Sequence, residues 1–438
     1  MKNIFSYLKL AVLSSSLLLT SSCELDIANP NAASDLQVLS SRDGIIALSV
    51  GLRQFYSTSG IEAAYLYPGV TGRELKGIAT FTNVLELEAG GTALPTFNSN
   101  VLGLWSRMQR TMSMSEQILA NAPNISTLTG GTLSGILAHA HLFKAIALAN
   151  LATAFEQANT ETSTTEKVTF KPRAEVLAAA ISHLDQAIAL LNTTPVSQEF
   201  TSLVSGSAFN LKNTLYAYNA RYNLYAGNYE AAIANANLVD LLVKSEFVYS
   251  TLSVNPIYNT IFILKYFSPR DKFGLPAALF EEEDARYDFY MGTPDAIVNG
   301  DSVKTLQGFF STQTSSIPVY LTDELKLIKA EAILRSNGPV AEALALINEV
   351  RTQVTGDPFG VNAALPAYNG AVTQEALLLE VYKQRSAELY LTGQKWEDSR
   401  RFGRPAPSEN ITERNRNFYP YPDQERLNNP NTPADPAI

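Results

Sequence analysis

Amphipathic helices that occur in pairs are the feature that most constrains the fold of this chain. Between Val176 and Leu191 the apolar residues recur with the 3.6-residue period of a helix that buries one face. A helical pattern over 208–226 is interrupted by Gly227-Asn228 and resumes over 229–243. Glycine and asparagine readily adopt the left-handed conformation that ends a helix, so the interruption predicts a helical hairpin.

The hairpins are predicted to repeat along the chain. Gly227, Tyr229 and Ala232 have the spacing of the second half of a tetratricopeptide repeat, where a glycine turn precedes an aromatic residue and a small one. The other helical segments that fit this scheme are 136–157 with 173–192, 321–335 with 340–353, and a last helix over 374–391. We therefore predict a mainly α-helical fold, an α–α superhelix of about four degenerate tetratricopeptide-like hairpins. An unrelated all-α bundle is the alternative.

The first 22 residues have the composition of a secretory signal peptide. Lys2 and Lys9 accompany an apolar stretch over 10–20, which is too short to span a bilayer because a helix needs about 20 residues for that. The only cysteine, Cys23, follows small residues at the expected cleavage point, as in a bacterial lipobox. We predict removal of residues 1–22, acylation of Cys23 with fatty acids such as palmitate, and a single domain over 23–438. The alternative is a plain signal peptide with an incidental cysteine.

Three stretches between the predicted helices show no helical period: 57–100, 245–316 and 357–371. We predict long irregular loops there, with short strands at 247–252 and 260–266. Loops of this length inside a compact domain are usually either functional or misread, and the first two carry aromatic residues that follow no helical period. Those residues include Tyr65, Tyr67, Phe81, Phe97, Tyr249, Tyr258, Tyr266, Phe267, Tyr287, Phe289, Tyr290, Phe309 and Phe310.

Sequence motifs for catalysis and metal binding are not found. The chain has no GxSxG elbow, no P-loop, no GxGxxG and no HExxH. His139 and His141 are two residues apart and do not share a helix face, and the acidic run 281–284 is predicted to be a solvated loop rather than a calcium site. A net charge of −9 argues against nucleic-acid binding, which needs a basic face. We predict no catalytic residues, no metal and no cofactor.

Several motifs together resemble the SusD/RagB family of nutrient-binding lipoproteins of bacterial outer membranes. They are Cys23-Glu24, Asp26 and Asn29-Pro30-Asn31 at the start, Trp105 and Ala120-Asn121, Asp284 and Arg286, the helix over 321–332, Arg385, Glu388-Leu389, Gly393, Trp396, Asp398 and Arg401-Phe402-Gly403 near the end, and the closing Tyr419-Pro420-Tyr421-Pro422 and Asn429-Pro430-Asn431. The chain departs from the family pattern at Gln384, Thr392, Lys395 and Ser399. Arg385 and Glu388 are one helical turn apart and are expected to pair.

The resemblance implies a binding protein rather than an enzyme. Members of this family sit on TonB-dependent, SusC-like transporters and deliver a ligand to the barrel, commonly an oligosaccharide and sometimes a peptide. For this chain we expect a lipid anchor at Cys23, a place on the extracellular side of the outer membrane, and such a transporter as partner. Charged residues are only 17% of the chain, against about 25% in a typical protein, which fits a surface that faces a large partner.

Candidate ligand contacts follow from the chemistry of sugars, which offer apolar C–H faces to aromatic rings and hydroxyls to polar side chains. From the first loop we select Tyr65, Tyr67, Arg73, Glu74 and Asn83, and from the second Tyr287 and Tyr290. The alternative for each tyrosine is a packing role. Trp105 and Trp396 are predicted to be core residues.

Two other functions stay open on the residues alone. A helical-repeat scaffold for outer-membrane assembly would share the lipid anchor and the repeats, but it would not need the aromatic loops. A glycan-cleaving enzyme would need two carboxylates at a fixed separation, and nothing singles out a pair among the 42 acidic residues.

Overall fold

Helices dominate the computed structural model, which describes residues 38–163 and 165–438. The α-helices of five or more residues are, in chain order, α1 (Arg42–Phe55), α2 (Ile61–Thr71), α3 (Thr82–Ala89), α4 (Ser99–Asn121), α5 (Gly130–Ala154), α6 (Arg173–Thr193), α7 (Leu211–Ala226), α8 (Tyr229–Ala236), α9 (Arg286–Tyr290), α10 (Thr322–Arg335), α11 (Val340–Arg351), α12 (Gln374–Glu388), α13 (Lys395–Arg401) and α14 (Asp423–Asn428). The predicted signal peptide over 1–22 and the lipidation site Cys23 lie outside the described residues.

The long helices pack against one another in chain order. α4 packs on α5, α5 on α6, α6 on α7, and α7 pairs with α8. α8 then contacts α10, which packs against both α11 and α12. The pairs α5–α6, α7–α8 and α10–α11 are the predicted hairpins, so the mainly helical superhelix is confirmed.

The α7–α8 turn shows how a hairpin is set. Gly227 has φ +80°, and its N–H donates to the carbonyl of Leu224 at 3.2 Å, which ends α7. α8 ends at Ala236, earlier than the predicted 243. The side chain of Asn213 explains this, because its amide bonds both the carbonyl (2.9 Å) and the N–H (3.2 Å) of Asp240 and holds that residue outside the helix.

The segment 57–100 is not the irregular loop that its sequence predicts. It contains α2 and α3 and leads into α4. Every residue of α2 except Glu62 is buried, so the helix has no polar face and shows no helical period. Pro68 and Gly69 inside it also argued against a helix at the sequence level.

Short antiparallel strand pairs brace the superhelix. The strands are β1 (Leu75–Gly77), β2 (Gln157–Ala158), β3 (Lys171–Pro172), β4 (Glu246–Phe247), β5 (Phe267–Pro269), β6 (Met291–Val298), β7 (Asp301–Leu306) and β8 (Ile317–Pro318). β1 pairs with β5, β2 with β3, β4 with β8, and β6 with β7. The β1–β5 pair, with Leu75 opposite Pro269, joins the two segments that the sequence presents as separate loops.

The predicted strands lie elsewhere than expected. The one at 247–252 reduces to β4, and the one at 260–266 is wrong because Asn259–Ile263 forms a π-helical turn before β5 begins. The segment 357–371 contains no helix or strand, as predicted for an irregular loop.

Charged groups near the C-terminus are buried in pairs. Arg385 Nε donates to Asp398 at 2.7 Å, and Arg286 Nη1 lies 3.2 Å from Glu388. The predicted Arg385–Glu388 pair is therefore wrong, because each residue has a partner on another element. The acidic run 281–284 is not a wholly solvated loop either, since Asp284 is buried against Arg286.

Both tryptophans belong to the core, as predicted. Trp105 is 2% exposed and stacks on Phe170 with ring centroids 5.7 Å apart. Trp396 is 1% exposed and lies 4.6 Å from the ring of Tyr419. By length and composition α5 and α6 could each cross a membrane, but most of α5 is enclosed by its neighbours, as is typical of a core helix.

Candidate functional site

The predicted site residues do not converge on one surface. Tyr65, Tyr67, Arg73, Glu74 and Tyr290 are buried, and Asn83 and Tyr287 are half-buried. The buried five have structural partners, so a solute at the surface does not reach them in this conformation.

Tyr65 lies in the middle of the superhelix. It lines a cavity of about 40 Å³ together with Tyr56, Tyr218, Tyr222 and Tyr225. Burial raises the pKa of Tyr65 well above its ordinary value, with nearby tyrosines as further causes. Its tyrosine neighbours show that the aromatic content of the chain also serves packing between α2, α7 and the π-helical turn Tyr56–Gly60.

Tyr287 and Tyr290 belong to an aromatic cluster beneath the C-terminal helices. The hydroxyl of Tyr290 donates to the carbonyl of Glu388 at 3.2 Å, and its ring lies 5.4 Å from that of Tyr390. Tyr287 donates to Asp271 at 2.5 Å. Burial, followed by that hydrogen bond, raises the pKa of Tyr287 to about 12. Both hydroxyls are therefore committed to the fold.

Arg73 and Glu74 hold the end of α2 to the rest of the chain. Arg73 adopts φ +65° and pairs with Glu88 at 3.0 Å. One oxygen of Glu74 accepts the N–H of Leu391 at 2.8 Å, and the other has no hydrogen-bond partner among the described residues. Burial raises the pKa of Glu74 to about 7, although the ammonium of Lys395 opposes the shift.

We expect Glu74→Gln to weaken the pH dependence of stability. The ordinary pKa of this carboxyl is 4.5, so between pH 4.5 and 7 the folded state binds more protons than the unfolded state. The free energy of unfolding of the wild-type protein therefore falls as pH rises through that interval. In the variant this decrease should be smaller by about 2–3 kcal/mol. Guanidinium unfolding at pH 4.5, 6 and 7.5 measures the difference from wild type.

A matched control is Glu283→Gln, which changes an exposed acid. If the Glu74→Gln and wild-type stability curves run parallel across the interval, Glu74 does not titrate as its burial requires.

Exposed and half-buried aromatic rings lie near the point where β1 ends and β5 begins. We call Phe81, Phe97, Tyr258, Phe262 and Tyr266 the aromatic patch. Phe81 is 56% exposed and meets Tyr266 edge to face, with ring centroids 5.4 Å apart. Tyr258 and Phe262 stack at 5.0 Å in the turn that leads to Tyr266, and Phe97 is 68% exposed. Phe81 and Phe97 therefore present apolar faces to solvent, whereas Tyr258, Phe262 and Tyr266 are half-buried.

The strand pairing brings the patch together. The carbonyl of Tyr266 accepts the N–H of Ile78 at 2.9 Å, which places the residues after β1 beside those before β5. Beneath them, Glu62 on α2 accepts from Thr260 (2.6 Å) and from Arg107 on α4 (2.8 Å). The patch therefore rests on helices that are themselves part of the core.

Amides form the polar side of the patch. Asn83 donates from its side chain to Asn100 at 2.9 Å, and its backbone carbonyl accepts from Asn98 at 3.0 Å. Asn98 also donates to Glu86 at 2.9 Å. The side-chain oxygen of Asn83 accepts no hydrogen bond from the residues that the structure describes, and it is free to accept one from a hydroxyl.

Phe81 occupies an unusual position for an exposed ring. It is the N-cap of α3, with φ −67° and ψ 136° and no side-chain cap. Serine, threonine, asparagine or aspartate stabilises a helix there by accepting a free N–H, which phenylalanine does not do. Folding gains little from this residue, so its presence favours a role in binding.

Sequence reasoning selected one residue of this region, Asn83, and passed over its aromatic neighbours. Phe81, Phe97, Tyr258 and Tyr266 were among the aromatic residues of the two loops, but nothing in the pattern separates them from the buried Tyr65. An exposed aromatic residue directly before a helix is the signal that could have identified Phe81.

Solved structures of the SusD superfamily share this fold. The chain is similar to one from Bacteroides thetaiotaomicron VPI-5482, with a TM-score of 0.70, 16% identity, and coverage of 90% of this chain and 99% of that chain. It is also similar to a SusD-like carbohydrate binding protein from Bacteroides vulgatus ATCC 8482, with a TM-score of 0.69, 15% identity, and coverage of 90% and 97%. These likenesses define the class of protein by its fold, a SusD-like helical superhelix.

Part of the sequence is also similar to this family. The SusD family model matches residues 310–435, which include α10 to α14. No curated protein sequence matches the chain.

Proposed function

We propose that this protein binds an oligosaccharide at the aromatic patch. The observation that carries the proposal is the exposed ring of Phe81, set edge to face against Tyr266 and beside the amide of Asn83. An aromatic face packs against the apolar side of a sugar ring, and the neighbouring amide oxygen accepts a hydrogen bond from a sugar hydroxyl. The similar carbohydrate binding protein of Bacteroides vulgatus supports this ligand class.

We further propose that the mature protein is lipid-anchored through Cys23 at the outer membrane, faces the extracellular side, and passes its ligand to a TonB-dependent transporter. The signal sequence with its single cysteine and the similarity of residues 310–435 to the SusD family support this part of the proposal. Catalysis is not part of it, because the patch presents rings and amides rather than a pair of carboxylates at hydrolytic spacing.

A binding screen tests the ligand class. Immobilised mature protein is exposed to arrays of neutral oligosaccharides, acidic oligosaccharides and short peptides, and candidate binders are then measured by calorimetry. The proposal expects binding to oligosaccharides. Binding only to peptides would show that the ligand is a peptide instead. If the protein captures no outer-membrane barrel from its native membrane, the proposed partnership with a transporter is contradicted.

We expect Phe81→Ser to weaken sugar binding without loss of stability. Removal of one stacked ring should lower affinity about 5- to 10-fold, since such a contact contributes about 1 kcal/mol. Serine is a good N-cap, so the melting temperature of the variant should equal or exceed that of wild type. Calorimetric titration and thermal unfolding measure the two effects separately.

The control for this variant is Leu252→Ser, which removes a side chain that is 98% exposed in the turn closed by the Ser250–Ser253 bridge. If both variants keep wild-type affinity, Phe81 is not a ligand contact.

A further inference from the structure

A small cavity lies between α2, α5, α7 and the turn that precedes α13. Its volume is about 40 Å³, which excludes a sugar ring and admits a monatomic ion or about three waters. Five tyrosines line it, Tyr65 among them, together with Arg221. These residues are buried, whereas Asn150, Thr153 and Thr392, which also line the cavity, are half-buried and mark the side nearer the surface.

Three of the tyrosine hydroxyls have no acceptor for their proton within residues 38–163 and 165–438. The hydroxyls of Tyr65 and Tyr222 make no hydrogen bond there. The hydroxyl of Tyr56 accepts from the amide of Asn150 at 3.3 Å, but its own proton is not donated. Burial raises the pKa of Tyr65 and of Tyr222 well above the ordinary value, so both hydroxyls keep their protons at neutral pH and can donate.

Arg221 adds a cationic donor to the wall of the cavity. Its Nε and Nη2 donate to Glu324 on α10 at 2.5 and 2.6 Å, so the carboxylate does not use the two N–H groups of Nη1. The guanidinium lies over the ring of Tyr218, with Cζ 4.3 Å from the ring centroid. Because an arginine side chain stays protonated in proteins, this donor carries its positive charge at any working pH.

Acceptors on the same wall are fewer than donors. The side-chain oxygen of Gln394 already accepts from Tyr225 at 2.8 Å and from Arg385 at 3.1 Å. The side-chain oxygen of Asn150 is the amide acceptor that stays unused within the part of the chain that the structure describes. Among those same residues, no carboxylate lines the cavity.

The excess of donors favours an anion over water as the occupant. A water molecule brings two protons of its own, which need acceptors that this wall supplies sparingly. A monatomic anion only accepts, and it can accept from several hydroxyl and guanidinium groups at once. Hydrogen bonds to an ionised acceptor are also stronger than those between neutral groups, which offsets the cost of burying the charge.

We propose that this cavity binds a halide ion such as chloride, held by the hydroxyls of Tyr65 and Tyr222 and by the guanidinium of Arg221. Tyr65 belongs to α2, and the other two residues belong to α7. The ion therefore joins a helix from the N-terminal part of the chain to the middle of the superhelix. The inference goes beyond the proposed binding of sugar and does not depend on it.

Bromide locates the site, because it has the charge of chloride and scatters X-rays anomalously. Crystals of the mature wild-type protein soaked in sodium bromide should show an anomalous peak within hydrogen-bond distance of the hydroxyls of Tyr65 and Tyr222. Electron density for water in the cavity, with no anomalous signal, would overturn the proposal. This measurement needs no variant and therefore stands even if a substitution in the cavity prevents folding.

Thermal unfolding of the mature protein measures the contribution of the ion. Sodium chloride is compared with sodium gluconate at equal ionic strength, since gluconate is too large for the cavity. We expect a saturable rise in Tm of about 1–2 °C in chloride relative to gluconate. Tyr65→Phe/Tyr222→Phe keeps both rings but removes two donors, so the difference between the two salts should vanish.

The matched control is Tyr216→Phe. Tyr216 is also a buried tyrosine of α7, but it does not line the cavity, so this variant should keep the wild-type difference between the salts. Equal Tm values for the wild-type protein in chloride and in gluconate would overturn the proposal. A chloride effect that survives in Tyr65→Phe/Tyr222→Phe would also overturn it, because the ion would then act elsewhere.

Discussion

Arg286→Met is expected to destabilise the protein by about 3–5 kcal/mol, the cost of breaking a buried ion pair from one side. Arg286 is fully buried, donates to Asp284 at 2.9 and 2.7 Å, and lies 3.2 Å from Glu388. Removal of the guanidinium leaves two buried carboxyls without their cation. Burial already raises the pKa of Glu388 well above its ordinary value, and Arg286 opposes that rise. The shift in the midpoint of unfolding by guanidinium chloride measures the effect.

The matched control for this change is Arg426→Met. Arg426 pairs with Asp435 at 2.8 Å, but both side chains are more than a third exposed, so its loss should cost less than about 1 kcal/mol. A midpoint for Arg286→Met that coincides with that of Arg426→Met would show that the buried network does not hold α9 to α12.

Trp396→Ala is also expected to destabilise the protein by about 3–5 kcal/mol, because it opens a cavity in a packed core. The indole N–H donates to the carbonyl of Arg416 at 2.7 Å, and the ring packs on Tyr419. On its other side the start of α13 lies so close to Gly72 that a Cβ there would meet the backbone N of Trp396 at 3.0 Å. Trp396 thus joins α13 to the end of α2 and to the closing segment.

Trp396→Phe separates the two parts of this effect. It keeps most of the buried ring but loses the N–H donor, so we expect about 1–2 kcal/mol of destabilisation. If the alanine and phenylalanine variants unfold at the same midpoint, the ring volume does not contribute as the packing requires.

The helical hairpins were predictable because their helices have one buried and one solvated face. α6 and α11 show the period that such burial imposes. α2 was not predictable by the same means, since it is buried on all sides. Its neighbours include α13 and the short turn Pro256–Tyr258, which lie far away in sequence.

Gln384 and Lys395, two of the residues at which the chain departs from the family pattern, make buried contacts that the sequence alone did not reveal. Gln384 accepts from Arg286 at 2.5 Å and donates to Glu380 at 2.7 Å, so an amide links the two charged residues. Lys395 donates to the carbonyls of Gly72 (2.8 Å) and Gly274 (2.9 Å). Arg286, Gly72 and Gly274 are each more than 90 residues away from their partners along the chain, so these contacts were not evident from spacing.

The candidate ligand contacts stay a prediction. Five of the seven selected residues are buried, and Asn83 and Tyr287 are half-buried. Whether a given tyrosine faces solvent or core is decided by the β1–β5 pairing, and that pairing was not predicted. Tyr65 and Phe81 therefore looked equivalent in sequence although one is buried and the other exposed.

The central claim is that the aromatic patch binds sugar through its rings. Calorimetric titration of the best oligosaccharide from the screen into Phe81→Ser/Tyr266→Ala tests it most directly, with Leu252→Ser as control. Two lost ring contacts of about 1 kcal/mol each predict a loss of affinity of about 30-fold. Affinity equal to wild type in the double variant, with the fold intact, would contradict the account.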